Sequence, residues 1–194
     1  MEKLIIELFE RIKKLEDRVG ELEAQYELRN SDSNIKEKRK KEKITRKVSR
    51  NFVIQKLQEE NKGLHAQKGN KSMQTDILID MKKKSLKVKY LHSKSYNENF
   101  AAGWNTLDVE DIKNKKYDVY IFCIVFNEEF KTFIFSNEDM LNIISNKQID
   151  ASGNYHFYIH IKEDGRKLEC RDQEIDIEKN YEDWTLISRI IDEL

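Results

Sequence analysis

The chain has 194 residues, 37% of them charged, and its 36 Lys/Arg balance 36 Asp/Glu to a formal net charge of zero. That length fits one globular domain with an appendage. No apolar run nears the ~20 residues that span a membrane, the amino terminus reads as an acidic amphipathic helix and not a secretory leader, and two isolated cysteines, Cys123 and Cys170, make neither a disulfide framework nor a zinc site, so a reducing cytoplasm is the expected setting.

In chain order, residues 1–28 carry a seven-residue repeat. Ile5, Ile12 and Val19 occupy one apolar position and Leu8, Leu15 and Leu22 the other, three residues on. β-branched residues at the first position and leucine at the second are the seam of a parallel two-stranded coiled coil. The spacing therefore predicts a dimerisation helix, with packing onto its own domain as the alternative. Residues 29–43 lack apolar periodicity and read as a basic linker. From 36 to 50 there are nine Lys/Arg against two Glu, a local +7, whereas 163–194 holds five Lys/Arg against eleven Asp/Glu, a local −6. The neutral total thus hides a basic segment suited to phosphate.

Residues 44–194 form the expected globular domain. Ile44, Val48, Phe52, Val53 and Leu57 resume helical spacing, and Gly63 suits a helix stop, giving a helix over 44–62. Glu60 falls on the Val53–Leu57 face, an odd place for an acid without a role. TDILID (75–80) and LKVKYL (86–91) read as a hairpin across a lysine-rich turn. YDVYIFCIVF (117–126) is apolar almost throughout, as a central strand buried on both faces is, with Cys123 inside it. FKTFIFS (130–136) follows, then a helix over 137–144 capped by Ser136 or Asn137. YHFYIHI (155–161) and RKLEC (166–170) flank an EDG turn, and residues 181–191 close the chain as a helix. The pattern is α/β.

Residues 44–140 resemble the PD-(D/E)XK nuclease-like family, in the arrangement of small type II restriction endonucleases. ITRKVSRNFVIQKLQEENKGL is similar to its first helix, TDILID carries an acid at the place of the first motif Asp, and LKVKY stands at the acid-x-Lys. The resemblance implies a restriction-endonuclease-like core of helix, mixed sheet and helix. It implies metal-dependent hydrolysis of double-stranded DNA by a homodimer, with Mg2+ as cofactor. Such chemistry needs a hard cation held by carboxylates and a lysine near the attacked phosphate. Asp76 and Lys89 fit the first acid and the lysine, and Lys87 stands where the second acid belongs. Three readings follow. Glu60 or Asp80 supplies the missing metal ligand; the centre is dead but still binds DNA or a protein partner; or Lys87 and Lys89 lie on a solvated face.

Six lysines and no acid lie between 81 and 97. Lys82, Lys83, Lys84 and Lys94, with Arg46 and Arg50, are the expected phosphate contacts, although a charge run also suits a solvated turn. HSKSYNENFAAGWNTLD is too long and polar for a hairpin turn, and its Asn105 is a candidate base reader, with Trp104 either exposed or a core aromatic. His156 and His160 share a strand face without a third ligand and read as structural. No phosphate-loop, dinucleotide, zinc-protease or hydrolase-elbow motif is present.

Overall fold

The computed structural model describes residues 44–193. The seven-residue repeat of residues 1–28, with Ile5, Leu8, Ile12, Leu15, Val19 and Leu22, and the basic linker of 29–43 lie outside the described residues.

Helix α1 (Arg46–Glu60) starts at Thr45, whose side chain accepts a hydrogen bond from the Val48 amide and satisfies one of the free first-turn donors. Ser49, Val53 and Leu57, spaced four apart, form its buried stripe. The chain leaves through Gly63, whose φ of +80° suits a residue without a Cβ. Glu60 is a correction: α1 turns it outward into solvent, 3.8 Å from Lys56.

The first sheet runs β1-β2-β3-β5-β6, with strands β1 (His65–Lys68), β2 (Ile77–Met81), β3 (Lys84–Lys94), β5 (Val119–Phe126) and β6 (Glu129–Ser136). β3 and β5 are parallel and every other neighbour is antiparallel. The crossover between the parallel pair holds β4 (Ala101–Asp108) and a short helix, α2 (Val109–Lys113). A second, antiparallel sheet runs β4-β7-β8-β9, with β7 (Asn154–Ile161), β8 (Lys167–Glu169) and β9 (Ile175–Asp176). Helix α3 (Asn137–Ile144) follows β6, and α4 (Leu186–Glu193) follows a 3-10 turn at Glu178–Asn180.

Period-two alternation along β5 builds two cores. Val119, Ile121 and Cys123 join Val53, Leu57, Ile77, Val88, Ile187 and Ile191 on the helical face of the sheet. Tyr120, Phe122 and Ile124 join Leu107, Phe135, Phe157 and Ile159 on the face covered by the second sheet. This is why the sequence of β5 is continuously apolar. The two sheets pack tightly at Gly103, where a Cβ would stand 2.5 Å from Ile124 and 2.6 Å from Ser93 Oγ. Ser136 and Asp139 form a reciprocal capping box that starts α3.

The domain is a mixed α/β fold, as expected. The structure adds β1 and β9, and it replaces the expected polar loop of 92–108 by the end of β3 and all of β4. The closing helix begins at Leu186, five residues later than expected. No described helix is long and apolar enough to cross a membrane.

Candidate nucleic-acid interface

The two-residue turn at Lys82–Lys83 sets the hairpin register, Met81 opposite Lys84 and Ile77 opposite Val88. Both turn lysines adopt positive φ, 51° and 66°, the geometry that twists a tight hairpin correctly. This turn is docked on the carboxyl-terminal helix: Lys82 Nζ lies 2.6 Å from Asp192, and Lys84 Nζ donates to the Ile191 carbonyl at 2.9 Å. Lys94 stands ten residues further along β3, about 33 Å away at the rise of a strand. The expected run of phosphate contacts is therefore split between the two ends of the sheet.

At the Lys94 end lies a polar cluster between the start of α1 and the end of β3. Arg46 Nη2 donates to Asp76 Oδ1 at 3.1 Å and to the Tyr90 carbonyl at 2.8 Å. Asp76 Oδ2 accepts from the Tyr90 amide at 3.1 Å. The Tyr90 hydroxyl donates to Ser49 Oγ at 2.7 Å, and Ser49 Oγ meets His92 Nδ1 at 2.9 Å. Burial, then the charges of Arg46 and Lys94, hold the His92 imidazole below its ordinary pKa, so it is neutral at pH 7. Burial also pushes the Tyr90 hydroxyl well up and the Cys123 thiol up to about 11. Arg50, one turn along α1 from Arg46, has a buried Nε without a hydrogen-bond partner among the described residues. The cluster thus joins one guanidinium, Arg46, to one carboxylate, Asp76, and to the Tyr90–Ser49–His92 chain of hydrogen bonds, with Arg50 one turn along α1 and Lys94 at the end of β3.

The other expected site residues do not converge here. Lys89 continues the register opposite Asp76, yet its amine lies over the Tyr117 ring at 5.1 Å. Lys87 is exposed and faces Leu78 across the hairpin, and its amide donates to Asp118. Asp80 is four residues along β2 from Asp76, about 13 Å, and bonds Ser85. Glu60 lies at the far end of α1 from Arg46, about 21 Å along the axis. Among the described residues no three His, Cys, Asp or Glu side chains gather to hold a metal ion. The residues of this cluster that sequence reasoning missed are Ser49 and Tyr90, whereas His92 belongs to the basic stretch of 81–97. The alternation of β3 held the signal, since Tyr90 and His92 share the face that packs on α1.

Asn105 is also a correction: it stands opposite buried Phe157 and so points to the inner face of the second sheet. Its neighbour Trp104 is 48% exposed and is not a core aromatic. His156 and His160 do share the outer face. His156 Nε2 lies 2.8 Å from Asp150, and His160 meets the Tyr96 hydroxyl.

No family model and no curated protein matches the chain. Among solved structures, the fold is similar to that of the bacterial homing endonuclease I-Ssp6803I, at 15% sequence identity and a TM-score of 0.47, over 76% of this chain and 92% of that one.

Proposed function

We propose that the chain is a DNA-binding protein on a nuclease-like scaffold, which grips backbone phosphate through Arg46, Arg50, Lys94 and His92. The observation that carries this reading is the state of Asp76. Its carboxylate is bonded to the Arg46 guanidinium and to the Tyr90 backbone amide. A hard divalent cation needs several oxygen ligands, usually more than one carboxylate. The residues present do not fit Mg2+: the one carboxylate is occupied, and both expected partners, Asp80 and Glu60, are far off. A guanidinium that also reaches into solvent is instead a good phosphate donor. Arg46 has that character, with a side chain 53% exposed.

A restriction-type, metal-dependent endonuclease is the second reading. The same exposure of Arg46 favours it, because rotation of that side chain into solvent would release Asp76 Oδ1. Dimerisation through residues 1–28 belongs to both readings and would present two copies of the cluster to a two-fold DNA site.

The test is to incubate the full chain with mixed-sequence duplex DNA in EDTA and in Mg2+ or Mn2+, and to read both shift and cleavage on gels. The binding reading expects a shift that is equal in all three and weakens steeply with salt, with no cutting. Discrete metal-dependent fragments that vanish in Asp76→Ala would establish the endonuclease instead.

A further inference from the structure

We infer that the free edge of β4 pairs with the same edge of a second copy of the chain, antiparallel and about a two-fold axis at Asn105. The inference stands apart from the DNA-binding reading above and from the coiled coil expected in residues 1–28.

An open sheet edge is a row of unpaired amides and carbonyls, and proteins shorten, cover or charge such edges to keep other chains off. Three of the four edges here are managed in that way. β1 is four residues long, and the Gln58 side chain accepts from the Ala66 amide at 3.1 Å. β6 is covered by the segment that follows the 3-10 turn. There the Glu182 amide donates to the Thr132 carbonyl at 2.9 Å and Asn180 Nδ2 to the Ile134 carbonyl at 3.0 Å. β9 is two residues long. β4 is the exception, with eight residues and a single charged side chain, Asp108, at its end.

Neighbouring bonds fix where the backbone groups of β4 point. Tyr158 on β7 turns away from β4: its amide donates to Glu169 Oε1 at 3.0 Å and its carbonyl accepts from the Cys170 amide at 2.8 Å. Trp104, opposite Tyr158 in the register, therefore turns its own amide and carbonyl outward. By the two-residue period so do Ala102 and Thr106. Ala102 is closed off, since its amide donates to Ser95 Oγ at 3.0 Å and its carbonyl accepts from the Tyr96 amide at 3.1 Å. The amides and carbonyls of Trp104 and Thr106 have no hydrogen-bond partner among the described residues. Both residues are exposed, Trp104 to 48%.

Self-complementarity selects a second copy as the occupant. The two open residues flank Asn105 symmetrically. An antiparallel copy centred there sets Trp104 against the partner's Thr106, and Thr106 against the partner's Trp104. Both are hydrogen-bonded pairs, so each open amide and carbonyl gains a partner. Asn105 meets its own copy at the axis as a non-hydrogen-bonded pair. Its side-chain amide has no partner among the described residues, and two carboxamides that face each other can exchange hydrogen bonds. The exposed Trp104 ring lies against the partner's Thr106 and, along the diagonal, within reach of the partner's Trp104. No charged side chain lies between Trp104 and Thr106 to repel its copy. The pairing joins two four-stranded sheets into one. It is isologous and uses the edge up, so it stops at two copies.

The test is cross-linking of the full chain in a Cys170→Ser background, with oxidised glutathione as the oxidant and non-reducing gels as the readout. Asn105→Cys sets two thiols at the axis with Cα atoms about 4.5 Å apart, inside the range of a disulfide. Trp104→Cys alone and Thr106→Cys alone would each stand about 8 Å from its own copy, out of reach. Asn105→Cys is therefore expected to form the linked dimer at least about tenfold faster than either. Adding Trp104→Lys/Thr106→Lys to Asn105→Cys sets like charges directly opposite each other and should slow the linkage about tenfold. Equimolar mixing with Asn105→Cys that carries Trp104→Glu/Thr106→Glu should restore it. Trp104 and Thr106 are exposed, so these changes leave the core intact. Equal rates at the three positions overturn the inference and mark a dimer held by residues 1–28 alone. No linkage at Asn105→Cys also overturns it and leaves the edge to an extended segment of another protein. A rate that the lysine pair does not change overturns it as well.

Discussion

Replacing Asp76 by Asn separates binding from hydrolysis by the sign of its effect. Asp76 Oδ1 sits 3.1 Å from Arg46 Nη2. A phosphate oxygen on the free side of the same guanidinium lies about 3 Å beyond, hence about 6 Å from the carboxylate. Two like charges at that distance repel by about 0.7 kcal/mol in water and about 2.8 kcal/mol at the effective dielectric of a protein surface. The pair is partly exposed, so about 1 kcal/mol is the working figure, or about fivefold in affinity. Asp76→Asn removes the charge but keeps an oxygen for the Tyr90 amide, so the fold is retained. The variant should bind duplex DNA about fivefold more tightly in EDTA, measured by anisotropy at fixed low salt. Asp76→Ala leaves the Tyr90 amide without its acceptor and should in addition lower stability by about 1–3 kcal/mol. Weaker binding by Asp76→Asn, or a metal-dependent cleavage that it abolishes, would refute the reasoning.

Three further outcomes test the fold around the site. Gly103→Ala puts a Cβ within 2.6 Å of both Ser93 and Ile124; the strain should lower the unfolding free energy by about 1–3 kcal/mol in a urea titration, and an unchanged midpoint would contradict the close approach of β4. Lys147 and Glu169 form a buried ion pair at 2.8 Å with side chains 0% and 1% exposed, so Glu169→Ala should cost about 3 kcal/mol, the low end for a broken buried pair, because Lys147 keeps the Arg171 carbonyl at 3.2 Å and Asp172 at 3.9 Å. Burial holds the imidazoles of His92 and His160 below the ordinary 6.5. The unfolded chain therefore takes up protons first, and stability present above pH 6.5 is lost as pH falls from there toward the lowered folded values. Urea midpoints should drop between pH 7.5 and 5.5, and by less in His92→Gln.

Much of the scaffold was legible because local rules and tertiary burial agree. The unbroken apolar run of β5, the Ser136–Asp139 box and the alternation of β7 each follow from period and capping chemistry. β1 and β4 were hidden for a physical reason. HAQK buries only Ala66 strongly, and AAGWNTLD meets the core through Ala101, Gly103 and Leu107, of which the first two are small and signal close approach, not hydrophobicity. The site was half legible. Asp76 and Arg46 come together, but this partner of Asp76 arrives from a helix thirty residues upstream, which hairpin spacing alone cannot give. Lys82 and Lys84 read as phosphate contacts until contacts more than 100 residues away, at Ile191 and Asp192, account for them. The acid-x-Lys pattern drew attention to Lys87 and Lys89, whereas the carboxylate of Asp76 reaches the amide of Tyr90.

The most direct measurement of the central claim is the slope of log affinity against log salt for duplex DNA, taken for the wild type and for Arg46→Ala/Arg50→Ala/Lys94→Ala in EDTA. Each phosphate contact contributes about 0.9 to that slope. The account expects the triple variant to lose about 2.7 of it, together with most of its low-salt affinity. An identical slope in the two proteins would place the phosphate contacts elsewhere and contradict the account.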